Sequence, residues 1–368
     1  MATYWSEDAA WSADGPGESP LPVAAWARVP DPRGRGRWRS DRDASAFQKI
    51  GQCNTARVPT VGSFRDAEAQ RVAAVAEQLW GVACGGVRLP DVLREQTLHP
   101  SIRASAVRFF RDRDIRWWTH HDEHGGRPTS LLRSSQVACV NHLEPARREE
   151  QLAVALGRAL GLDAVGGIRV EGGFLTYEWI GERNHLGEPR WGRRGERCTS
   201  LDAFLPLRIA DGRVLGVAIE WKYTESPRPG SEALSKNGAS RVETYRPLLE
   251  APSCPIDLNR LDRIEDVFFD PYTQLMRQTL LVWQMVEAGE AGVDGWLHVH
   301  VVPGANVAMR RPRAKLAVAA DDLAAQWRSL LRDPDHYRLI NPTDLLAHIP
   351  PEDSPRGWRE WLSLRYGT

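Results

Sequence analysis

The segment AIEWKYTES, residues 218–226, sets Glu220 and Lys222 two positions apart in a run that otherwise has the make-up of a buried strand. An unpaired charge in such a place costs several kcal/mol, so these two groups need partners. A second carboxylate is within reach. The runs TSLDAFLPLRI and RVLGVAIEWKY flank Ala210-Asp211-Gly212, the signal for a three-residue hairpin loop in which a type I turn is followed by glycine in the left-handed region. That loop places Asp202 directly opposite Glu220. Lys222 shares their face, because side chains alternate along a strand and cross-strand partners have Cβ atoms about 5 Å apart. Val217, Ile219, Trp221 and Tyr223 then form the opposite, apolar face. A two-residue loop would separate the two carboxylates onto different faces, and Pro206, facing Gly216, is where a bulge would alter the count.

Two carboxylates that close repel each other, and both remain ionised at neutral pH only with a cation between them. Mg²⁺ is the expected ion, since it takes hard oxygen ligands, commonly one or two carboxylates with water and phosphate oxygens; Mn²⁺ is the substitute. Such an ion polarises a phosphate and acidifies a bound water, and Lys222 would orient or deprotonate that water and offset developing negative charge. A cross-strand ion pair on a solvated sheet face is the plainer reading of Asp202, Glu220 and Lys222. The apolar VLGVAI before them argues against it. Of the 48 basic residues, lysine supplies four, at positions 49, 222, 236 and 315, so position 222 departs from the usual choice of arginine and suits a compact charge or a shiftable pKa.

Elements that must position these groups follow from the periodicity. FRDAEAQRVAAVAEQLW, near 64–82, and EPARREEQLAVALGRALGLD, residues 144–163, have apolar residues at helical spacing, with Gly161 as the stop of the second. Residues 172–181 read as a strand in which Phe174, Thr176, Glu178 and Ile180 share a face. After the hairpin, residues 224–262 are loop-like around one short helix near VETYRPLL. A further strong helix spans 268–292, starting at Asp270-Pro271 in the cap and N1 positions, and WLHVHVVP, from residue 296, is a buried strand. RFFRDRDIRWW, residues 108–118, is a strand or helix edge, either facing a phosphate backbone or tucking Trp117 and Trp118 into the core. Helices near 320–332 and 355–364 make a C-terminal cap.

Composition bounds the class. A chain of 368 residues with 42% hydrophobic content can bury a sizeable core. No long apolar run and no basic-then-apolar leader occurs, so the expected location is cytoplasmic, with no membrane contact. Five cysteines without a CxxC pair argue against a disulfide framework and a zinc ribbon. His120, His121 and His124 in THHDEH read as loop histidines rather than zinc ligands. His298 and His300, sharing one face of a buried strand, read as satisfied core histidines. The net charge of zero means a nucleic-acid partner must be held by a local basic surface. Residues 1 to about 60 combine loop-like composition with Trp5, Trp11, Trp26 and Trp38, which suggests an extended arm; disordered segments are usually aromatic-poor.

The order helix, strand, two-stranded hairpin, helix, strand, with Asp202 opening the second strand and Glu220-Trp221-Lys222 closing the third, resembles the PD-(D/E)xK nuclease superfamily, the fold of many restriction endonucleases. Leu201 stands where the name-giving proline would be. SSQVACVN (134–141), TSLDA, IEWKYTES and DPYTQLMRQ are also similar to an uncharacterised bacterial subfamily, over roughly residues 105–310. The resemblance implies an α/β fold, a mixed central sheet flanked by helices in α-β-β-β-α-β order. It divides the chain into an N-terminal arm and helix (1–104), a nuclease-like core (105–310) and a helical cap (311–368). It implies a Mg²⁺-dependent endonuclease acting on nucleic acid, DNA before RNA. Asp202 and Glu220 would be metal ligands and Asp202, Glu220 and Lys222 catalytic. Glu149, or Glu150 beside it, would be a further ligand from the first helix; Glu178, near the site, would be another metal ligand, and Gln274 would be catalytic through contact with the general base or the phosphate. Each of these last residues equally suits a structural role. A duplex cutter with one site per chain needs a homodimer or two sequential nicks. The competing class is an inactive nuclease-like scaffold that binds nucleic acid or a protein.

Overall fold

The computed structural model describes residues 63–82, 86–118, 126–195, 198–234, 240–313, 316 and 320–367. The N-terminal arm through residue 62 and the THHDEH histidines lie outside the described residues. The main helices are α1 (Ser63–Trp80), α2 (Pro100–Asp112), α3 (Ser135–Arg148), α4 (Glu150–Ala159), α5 (Val242–Leu249), α6 (Tyr272–Glu287), α7 (Leu323–Arg328) and α8 (Trp358–Tyr366). The strands are β1 (Ala164–Gly167), β2 (Thr176–Trp179), β3 (Leu201–Ile209), β4 (Val214–Trp221), β5 (Gly295–Val301) and β6 (Tyr337–Ile340). They form one mixed sheet, ordered β1-β3-β4-β5-β6, with β2 also on β3.

The β3–β4 hairpin has the register expected from its loop. Ala203 pairs with Ile219 and Arg208 with Val214 without a slip, and Gly212 takes φ +93° in the turn, a conformation glycine adopts without penalty. Pro206 does not cause a bulge against β4. On the other edge of β3, β1 pairs as far as Leu207 and β2 begins at Phe204, so the proline, which has no N–H to give, falls in the gap between the two partners. From β4 onward the sheet turns parallel, through β5 to β6, with α6 carrying the crossover.

Alternation along β4 divides the core into two layers. Val217, Ile219 and Trp221 pack with α2, α3, α4 and α8, while Ala218 packs with α5, α6 and α7 on the other face. Trp221 is fully enclosed against His142 of α3, ring centroids 4.7 Å apart. Packing is tight enough at Gly157 of α4 that a Cβ there would lie 2.6 Å from Leu207 Cδ1 and 2.8 Å from Ala164 Cβ.

Two expected helices differ in extent. The single helix 144–163 is two, because Glu149 has the extended angles φ −121°, ψ 121° and breaks the chain between α3 and α4. The helix expected from 268 starts at Tyr272; Asp270 does not cap it and instead accepts the Arg228 backbone N–H at 2.9 Å. The 108–118 stretch is the end of α2 followed by extended chain, with Trp117 buried and Trp118 exposed. His298 and His300 are buried and only half satisfied: each pairs through Nδ1, with Thr279 at 3.0 Å and Tyr337 at 3.3 Å, while neither Nε2 has a partner. Among the described residues no helix is long and apolar enough to cross a membrane.

Candidate active site

The carboxyl end of β4 opens on a cleft of about 540 Å³. Asp202, Glu220, Lys222, Glu178 and Gln274 all line it, with Gln136, Trp118, Ser200, Arg133, Arg277 and Gln278 around them. The hairpin register carries Asp202 to the end of β4, where its Oδ2 accepts the Trp221 backbone N–H at 2.7 Å. Among the described residues its Oδ1 has no hydrogen-bond partner. Glu220 is 2% exposed and receives three donors. Lys222 Nζ and Gln274 Nε2, the latter at 2.6 Å, reach Oε1, and Gln278 Nε2 reaches Oε2. Gln274 and Gln278 are four apart on α6, so one face of that helix presents both amides to the carboxylate.

Glu178 completes the acidic wall. Its Oε1 accepts from Gln136 Nε2 at 2.7 Å and Trp118 Nε1 at 3.0 Å, and Oε2 from Ser200 Oγ at 2.9 Å. The backbone pays a conformational cost to place it there. Glu178 has φ +48°, in the left-handed region that costs a non-glycine residue about 1–2 kcal/mol, and strain of this kind gathers at functional positions.

Electrostatics set Asp202 and Glu178 apart from ordinary carboxyls. Burial, then the neighbouring Glu220 and Glu178 charges, push Asp202 well above its usual value, against the pull of Lys222 and the Trp221 N–H. Burial also raises Glu178, despite the Gln136, Ser200 and Trp118 hydrogen bonds that favour its anion. For Lys222 burial disfavours the cation, but Glu220, Asp202 and Glu225 more than offset it, so the ammonium is held above its usual pKa.

A second buried pair stands beside this one. Arg277, between the two glutamines on α6, donates Nη2 to Glu188 Oε1 at 2.9 Å, and Glu188 also accepts the Thr199 N–H at 2.6 Å and the Tyr245 hydroxyl at 2.6 Å. Burial would lift the Glu188 carboxyl, yet Arg277 and these donors bring it below its usual value.

The cleft does not include Glu149. It is exposed at the α3–α4 break, and Glu150 is engaged elsewhere, accepting the Gly167 N–H at 3.0 Å. No carboxylate comes from the 144–163 span; the amide of Gln136, ahead of that span in the first turn of α3, meets Glu178. Gln136, Gln278, Arg277 and Trp118 were not singled out as site residues. Their partners lie 42, 58, 89 and 60 residues away, distances over which spacing carries no signal.

The mixed sheet, the helices on both faces and acidic groups at the end of a central strand define a restriction endonuclease-like protein. The chain belongs to the family described as restriction endonuclease associating with ARP, whose model matches residues 65–367. That membership suggests a nuclease acting on nucleic acid, and the match runs beyond the 105–310 core expected from the motifs. No curated protein and no solved structure matches the chain.

Proposed function

We propose that this chain is a metal-dependent endonuclease hydrolysing phosphodiester bonds, DNA in preference to RNA, with Asp202 and Glu220 as Mg²⁺ ligands and Lys222 beside the attacking water. The observation that carries this reading is the convergence of Asp202, Glu220 and Lys222 on one cleft. Among the described residues no group of three or more His, Cys, Asp or Glu side chains stands ready to hold a metal ion. A carboxylate pair nonetheless fits Mg²⁺, which keeps several waters and relies on one or two carboxylates plus substrate phosphate rather than an all-protein cage. Asp202 fits as a ligand: its carboxyl is raised by burial and then by the adjacent Glu220 and Glu178 charges, a repulsion that a cation relieves, and among the described residues its Oδ1 has no hydrogen-bond partner. Bound there, Mg²⁺ would supply Lewis-acid stabilisation of phosphate oxygens and a more acidic water.

The chain's own residues have distinct tasks. Lys222 stays protonated at neutral pH, so it donates hydrogen bonds and offsets charge on the phosphate rather than abstracting a proton. Gln274 and Gln278 fix the orientation of Glu220. Gln136 and Ser200 do the same for Glu178, which borders the metal site.

One observation favours the scaffold reading: both Glu220 oxygens already have protein donors, as in a site retired from catalysis. Plasmid DNA and labelled RNA incubated with wild type and Lys222→Ala, across a Mg²⁺ and Mn²⁺ titration, decide between the two. Metal-dependent cleavage by wild type and its loss in the variant are expected. Absence of cleavage in either metal would favour the scaffold.

A further inference from the structure

Trp118 takes no part in the chemistry assigned above. The exposed large hydrophobic side chains among the described residues are Val92, Trp118, Val165 and Leu234, and of these Trp118 lines the cleft. Its neighbour Trp117 is buried and stacks on Phe110, ring centroids 3.9 Å apart, while Trp118 is 51% exposed. A solitary exposed hydrophobe needs no explanation, but this one is pinned. Its indole N–H is donated to Glu178 Oε1 at 3.0 Å and its backbone N–H to Gln136 Oε1 at 2.8 Å. Gln136 is tied in turn to the Arg116 carbonyl at 3.1 Å and to Glu178. The polar edge of the ring is thus fixed against the acidic wall, and about half of the side chain's surface is left to solvent. Arg133, Arg277 and Lys222 line the same cleft, the last two paired with Glu188 and Glu220, so a phosphate backbone entering there meets cations among the carboxylates.

We propose that the free face of Trp118 is a stacking platform for an unpaired nucleobase of the strand whose phosphate enters the cleft. The preferred substrate then has single-stranded character at the site: a single strand, a flap or a frayed end. The inference rests on the nucleic-acid reading above and adds the substrate class. Inside a duplex both faces of a base are covered by its neighbours, so an indole can stack only on a base that has left the stack. Unstacking costs a few kcal/mol in a duplex and least where the base is already unpaired. Stacking on an aromatic side chain tolerates sequence, since every base has a π-face.

Fluorescence anisotropy with a labelled oligonucleotide tests this on the full chain, using Ca²⁺ in place of Mg²⁺ so that a hard cation satisfies the carboxylates. Wild type is expected to bind the single strand more tightly than a blunt duplex of the same sequence. Trp118→Ala should weaken single-strand binding by about fivefold to 150-fold and leave duplex binding within about twofold. Trp118→Phe keeps a ring but not the N–H donated to Glu178, and should retain most of the affinity. A strand of abasic residues, which has every phosphate and no base, should bind wild type and Trp118→Ala alike, a readout that holds even if the alanine variant is less stable. Equal single-strand affinity in wild type and Trp118→Ala, a wild-type preference for duplex, or a loss in Trp118→Phe as large as in Trp118→Ala would each overturn the platform. If wild type binds neither form, the nucleic-acid reading falls with it. Trp118-dependent binding without cleavage leaves the platform standing and removes only the catalytic reading.

Discussion

Replacing Asp202 by asparagine removes one negative charge from a buried group of three while keeping the side chain's shape. The structure sets the sign of the effect. The Asp202 carboxyl is raised by burial and by Glu220 and Glu178, so its ionised form is a net liability in the metal-free fold. An asparagine oxygen can still accept the Trp221 N–H that Asp202 accepts at 2.7 Å, and Lys222 retains Glu220. Single stabilising substitutions commonly give about 0.5–2 kcal/mol, roughly 1–6 °C in Tm for a fold of this size. Differential scanning fluorimetry in EDTA at pH 7.5 is the assay. Asp202→Asn should melt above wild type in EDTA and fail to gain stability when Mg²⁺ is added, whereas wild type should gain. A variant that melts below wild type in EDTA would mean that Lys222 already compensates Asp202, and the argument for a cation between the carboxylates would lose its basis.

Three further outcomes follow from named contacts. Because Asp202 and Glu178 titrate above their usual range in the fold, the native state holds protons that the unfolded chain has released. Their contribution to metal-free stability therefore falls as pH rises from the ordinary carboxyl range toward the raised values. Mg²⁺ competes with those protons, so its stabilising shift in Tm should be larger at pH 8 than at pH 6, read by the same melts. Gly157→Ala should cost about 1–3 kcal/mol in urea unfolding, because its methyl would overlap Leu207 and Ala164. Gln278→Ala should cost about 1.5–3 kcal/mol and lower any metal-dependent cleavage, since it removes a donor to Glu220 and the 2.9 Å bond to the Ser200 carbonyl.

The parts of the site legible in the sequence are those set by local rules. Ala-Asp-Gly fixed the hairpin register, and that register alone brought Asp202 to Glu220 and Lys222. Glu178 was on the right strand for a partly wrong reason: simple alternation does not account for its place, because its φ of +48° turns the chain locally. Glu149 fell on an apolar stripe that does not exist as one helix, since the backbone breaks at that residue. Of the amides, the motif resemblance points to Gln274 alone; glutamine has no spacing rule of its own, and Gln136 and Gln278 acquire their roles only when α3 and α6 pack on opposite sides of the sheet end. Nothing in the sequence pattern sets Arg277 apart from the other arginines, yet it is a buried partner of Glu188.

The hairpin turn has a practical use. It sits at one end of β4 and the acidic cleft at the other, and eight residues of strand at about 3.3 Å each separate them by roughly 26 Å. Asp211 in the turn has half of its side chain in water, and exposed turn tips are where chains best accept inserted sequence. Once formed, the six paired positions from Arg208–Val214 to Ala203–Ile219 hold the register without the turn, so a short epitope or a fluorophore-bearing tag grafted between Asp211 and Gly212 should lower the melting temperature slightly and leave the cleft in place, giving a handle for immobilising or imaging the protein.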